Sequence, residues 1–166
     1  SNTKEASKIE VPRHFPGLPE MADWEYKVFN AIDVASGRAD NQAYEWSLGV
    51  KDNDATAEWF KPSLVPRKMK TLDKKLSKAL YKVALATRNE SQLSADIVVN
   101  CRKLVEHEKR FMGGLEMMFM IIHYHKPTEK APMQVYLFER IQNIRLENDD
   151  LQKYKDTWED FWSSMG

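Results

Sequence analysis

Residues 71–86 read TLDKKLSKALYKVALA, and this stretch decides the fold. Leu72, Leu76, Ala79, Leu80, Val83 and Ala84 recur at three- and four-residue spacing, which winds them onto one side of an α-helix. Lysines fill the positions between. The spacing predicts a helix over 71–86 with an apolar stripe that another element must cover.

The same periodicity continues downstream. Asn89 to Ser91 reads as a break, and Ser94 is expected to cap a helix through Ile97, Val98 and Leu104. Gly113-Gly114 marks a boundary or a close helix contact. Leu115 to Tyr124 reads as a buried helix that ends before Pro127. Pro132 opens another, with Val135, Leu137, Phe138, Ile141 and Ile144 apolar. Asn148, helped by Asp149 and Asp150, caps a last one in which Leu151, Tyr154, Trp158, Phe161 and Met165 form a heptad-like seam.

Upstream, Pro62 and Pro66 bracket a loop, and Asp54 is expected to cap a short helix carrying Trp59 and Phe60. Residues 41–51 suggest another short helix. A longer one begins near Pro19–Glu20, carries Trp24, Val28, Phe29 and Ile32 on one face, and stops at Ser36-Gly37. Residues 1–19 hold Pro12, Pro16 and Pro19 and read as an extended arm anchored by Phe15 and Leu18. No strand hairpin signal and no internal repeat is present. The expectation is an all-α chain of six to eight helices.

Composition narrows the class of function. The 166 residues suffice for a core in one domain or two small lobes. Lys plus Arg and Asp plus Glu both number 25, so the chain as a whole is not a polycation built for nucleic acid. The single cysteine, Cys101, excludes a disulfide framework and a multi-thiolate zinc site, and it suits a reducing, cytoplasmic compartment. The longest apolar stretch, Leu115 to Ile122, contains Glu116 and is too short to cross a bilayer.

Residue chemistry points away from catalysis. There is no G-x-S-x-G elbow, no P-loop and no HExxH. His123 and His125 are two apart and diverge on a helix; His107 and Cys101 are six apart, about 600° of turn, and also diverge. Core or surface histidines are the expectation, with no cofactor, metal or small-molecule substrate. Met112, Met117, Met118 and Met120 read either as a helix buried on most sides or as an adaptable binding surface.

Two surfaces stand out as candidates. Arg67 to Lys82 carries seven basic residues against Asp73, and Lys74, Lys75, Lys78 and Lys82 make either a solvated face or a face for RNA or an acidic neighbour. Tyr154, Trp158, Phe161 and Trp162 are either core or an assembly interface. The same expected last helix supplies acids: Asp149, Asp150, Asp156, Glu159 and Asp160. Opposite charge on two separate helices suits head-to-tail contact between copies, as well as packing within one.

In their order these features resemble the capsid region of Gag polyproteins from copia-like LTR retrotransposons. Phe15-Pro16-Gly17 and then Asp23-Trp24-Glu25-Tyr26-Lys27-Val28 match an opening segment and tryptophan helix. Leu72, Leu76, Ala79 and Leu80 match an L-x-x-x-L-x-x-A-L helix, and Ala95-Asp96-Ile97-Val98-Val99 a shorter one. Gly114-Leu115-Glu116-Met117-Met118 through Tyr124 and Pro127 follow. Leu137, Ile141, Arg145 and Leu146, then Asp150-Leu151, Tyr154 and Trp158, complete the series. The likeness spans most of residues 12–162. It departs where Met118 or Phe119 stands in place of a usual tryptophan, and this sequence has no CCHC knuckle.

The resemblance implies a retroviral-capsid-like bundle: an arm over 1–19, an N-terminal lobe over 20–88 and a C-terminal lobe over 89–166. It further implies a non-enzymatic shell protein that multimerises through helix faces and encloses RNA. The alternative is an intracellular helical adaptor or nucleoprotein that binds a partner helix or RNA. Neither reading involves a membrane.

Overall fold

The computed structural model describes residues 4–125. The helices expected from Pro132 and from Asn148, and the aromatics Tyr154, Trp158, Phe161 and Trp162, lie outside the described residues. Within them the fold is all-α: five α-helices, several 3-10 turns and no strand.

Helix α1 (Met21–Ser36) buries Trp24, Val28, Phe29, Ile32 and Ala35, the stripe that its spacing predicts. It ends at Gly37, whose φ of 66° lies in the left-handed region, and whose N–H bonds the Val34 carbonyl. Only glycine fits here, because a Cβ would lie 2.3 Å from the Lys4 carbonyl oxygen. The arm crosses at this point, and its Ala6 amide donates to the Ala35 carbonyl at 2.8 Å.

Ile9 anchors the arm at 4% exposure, and Phe15 meets Trp24 edge-on at 6.4 Å. Leu18 does not anchor it: that residue opens a 3-10 turn and stands exposed at 62%.

Helix α2 (Gln42–Ser47) passes into a 3-10 turn over Leu48–Lys51. A second 3-10 turn, Ala57–Phe60, carries Trp59 outward and Phe60 inward. Thr56 precedes it in extended conformation, so the expected Asp54 cap is corrected. Asp54 instead belongs to a tight turn, its amide donating to Asp52 Oδ1 at 2.8 Å.

Helices α3 (Lys70–Thr87) and α4 (Gln92–Glu108) form an antiparallel pair, and α5 (Gly114–His123) packs on α3. Ser91, not Ser94, is the N-cap of α4, and its hydroxyl accepts from the Ser94 amide at 3.2 Å. Ser94 is buried one turn inside and closes the α3–α4 connection through Thr87, Oγ to Oγ1 at 2.6 Å.

Every residue of α5 from Gly114 to Ile122 is buried. Met117, Met118 and Met120 are therefore core, not an adaptable surface, and so is Met112. Burying each such side chain contributes about 1.5–3 kcal/mol. One apolar cluster runs from Ile9 to Ile122, through helices on both sides of the Asn89 turn.

Candidate interaction groove

The site is built around the N-terminus of α5. Helix α4 ends when Lys109 takes a left-handed conformation, φ 55°, which reverses the chain. Residues 110–113 then run back beneath α3, where the Ser77 hydroxyl donates to the Met112 carbonyl at 2.7 Å. Gly113 and Gly114 pass so close to α3 that a Cβ on Gly114 would lie 2.4 Å from the Asp73 carbonyl oxygen and 2.8 Å from Leu76 Cβ.

Two buried carboxylates satisfy the free amides at this helix start. Asp73, reaching across from α3, accepts from the Leu115 amide at 2.9 Å and also from Gly114. Glu116 folds back onto the Gly113 amide at 3.0 Å. The Arg110 guanidinium grips both Glu116 oxygens, at 2.9 and 3.0 Å, and its Nε reaches Glu108 at 2.9 Å. Glu116 is fully buried, so this fork is its charge balance.

Burial raises the Asp73 carboxyl from 3.8 to about 6 against the lowering pull of the two amides. Desolvation lowers the Arg110 pKa, but hydrogen bonding and attraction to Glu116 more than offset this, and the net shift is upward. Burial and the nearby Glu116 push the Cys101 thiol up to about 12, so it is a packed side chain, not a nucleophile.

Pinned in this way, the 110–113 segment, the C-terminal half of α4 and one side of α3 enclose a groove of about 990 Å³. Met112, Met117 and Cys101 form its floor and Tyr81 and Val65 its walls. Phe111, 78% exposed, and Val105, 42% exposed, form an apolar lip. Lys70, Lys74, Lys78 and Arg102 line the rim.

The four lysines singled out from the sequence spread across two sides of α3, with Lys78 bordering both. Lys74 and Lys78 line the groove. Lys75, Lys78 and Lys82 border a second crevice beneath the arm, where Lys75 pairs with Glu5. Asp73, counted with the lysines in the sequence, does not share their face. It occupies the stripe of Met69, Leu76 and Leu80 at 2% exposure. A lone acid at stripe spacing, paired with a later Gly-Gly, was the available signal for this cap.

His123 takes a structural position. His123 Nε2 lies 2.7 Å from the Val50 carbonyl oxygen, and its ring stacks on Phe119 at 4.2 Å. Among the described residues no group of three or more His, Cys, Asp or Glu is placed to hold a metal, and no helix is long and apolar enough to cross a membrane.

Compared with models of known protein families, with curated proteins and with solved structures, the chain matches none.

Proposed function

We propose that the chain is a structural, self-assembling protein of the Gag capsid type, whose copies multimerise through helix faces into a shell enclosing RNA. The observation that carries this reading is the groove beside α3. It joins an exposed apolar lip, Phe111 and Val105, to a basic rim, Lys74, Lys78 and Arg102. Clustered exposed apolar groups beside charge are the make-up of a contact surface. The two glycines and two buried carboxylates at the start of α5 anchor the backbone beneath that surface, and a pre-formed surface lowers the ordering cost of association. The ordered likeness to copia-like Gag supports the same reading.

Assembly of this kind is multivalent, with weak contacts made cooperative by number. The test is mass photometry and electron microscopy of the full chain over a concentration and salt series. Rings or closed particles that grow with concentration are expected. A monomer or simple dimer at every condition would reject the reading.

The basic rim favours a second reading, a helical adaptor or nucleoprotein whose groove receives an acidic partner helix or RNA. An RNA-holding protein would lose affinity steeply as salt rises. An adaptor would bind a single partner without forming particles.

A further inference from the structure

We propose that the groove beside α3 receives the aromatic stripe Leu151–Phe161, with the acids at its Trp158–Phe161 end, of a second copy of this chain. The proposal rests on the assembly reading and supplies the contact that reading needs.

Three observations carry it. The first is length: the groove follows α3 from Lys70 to Tyr81, about 16 Å at 1.5 Å per residue. Leu151, Tyr154, Trp158 and Phe161 recur at three- and four-residue spacing, which as a helix makes an apolar edge of about 15 Å. The second is matching apolar surface. Phe111 and Val105 stand open at the groove lip, and the stripe carries large aromatics of the kind that fill such clefts. The third is charge: Lys74, Lys78 and Arg102 edge the groove, whereas Asp156, Glu159 and Asp160 gather at the Trp158–Phe161 end of the stripe and outnumber Lys153 and Lys155 at its other end.

Groove and stripe are unlike surfaces carried by every copy. Their contact is heterologous, so it leaves one free groove and one free stripe at the ends of any chain of copies. That propagates, or closes into a ring, and does not stop at a symmetric pair.

The test is complementation between two full-length variants. Val105→Glu with Phe111→Glu spoils the groove at exposed positions, and Trp158→Glu with Phe161→Glu spoils the stripe. Each variant alone is expected to self-associate roughly ten-fold or more weakly than the parent by sedimentation. Mixed in equal amounts, they retain one intact groove and one intact stripe and form a one-to-one heterodimer that grows no further. A misfolded variant could not give that heterodimer.

A charge exchange checks the same contact without touching the apolar groups. Lys74→Glu with Lys78→Glu weakens association, and mixing this variant with Asp156→Lys plus Glu159→Lys restores growth into alternating assemblies, because both groove-to-stripe contacts then pair opposite charges. A parent that assembles while its stripe variant assembles equally well overturns the proposed occupant and leaves the assembly reading standing. A parent that stays monomeric overturns the assembly reading itself. A monomer whose groove resonances shift when the stripe is mutated places the stripe within one copy and overturns the second-copy contact.

Discussion

The carboxylate of Asp73, near the start of α3, accepts the backbone N–H of Leu115, at the start of α5, at 2.9 Å. This one bond crosses 42 residues of sequence and sets where α5 begins against α3. It also holds an ionisable group at 2% exposure, which makes its protonation part of the folding equilibrium.

The Asp73 carboxyl titrates near 3.8 when unfolded and about 6 when folded. The folded state therefore binds its proton more tightly. Its contribution to stability is full below pH 3.8 and is lost as pH rises to about 6. Asp73→Asn removes that dependence. The difference in Tm between parent and variant should change across this window and stay level above pH 7. A constant difference from pH 4 to 7 would contradict the raised pKa.

Arg110→Met should leave the Glu116 carboxylate buried without its fork, at a cost of roughly 3–5 kcal/mol in chemical denaturation. Adding Glu116→Gln should recover a large part of the loss, because the neutral amide needs no counter-charge. If the second change deepens the loss additively, the two residues are not coupled as the distances imply.

Gly114→Ala should destabilise by roughly 1–3 kcal/mol or more, since the added methyl meets the Asp73 carbonyl oxygen and Leu76 and backbone must shift. Gly49→Ala is the control, its Cβ meeting only the Phe60 ring edge at 3.5 Å. Equal effects at both positions, measured by thermal melts, would deny the close α3–α5 approach.

The α3 lysines should separate into two kinds. Lys74→Glu with Lys78→Glu should leave Tm nearly unchanged, because both side chains are exposed. Lys75→Glu should loosen the N-terminal arm, because it faces Glu5, which also accepts from Thr71 at 3.0 Å. Proteolysis or amide exchange of residues 4–10 reads this directly. Equal protection in both variants would remove the arm contact.

Much of this architecture was legible in the chain itself. Leu72, Leu76 and Leu80 announced α3, and Trp24, Val28 and Ile32 announced α1, because an apolar stripe at helical spacing has one economical way to leave water. Gly37 announced a stop. Local signals misplaced caps by a few residues. Asp54 and Ser94 are acceptable cap residues by type, but Ser91 already holds the extended backbone that a cap needs, and Thr87 holds the Ser94 hydroxyl.

Periodicity along each segment determined that these residues form helices, and it determined which side of each is apolar. Only the tertiary structure decided the roles of Asp73, Glu116 and Arg110 and the location of the groove. Those depend on which segments meet across long separations in sequence. A carboxylate among lysines has the same local signature whether it faces water or another helix's amides. Packing alone distinguishes the two, because only in the buried case must every polar group find a partner.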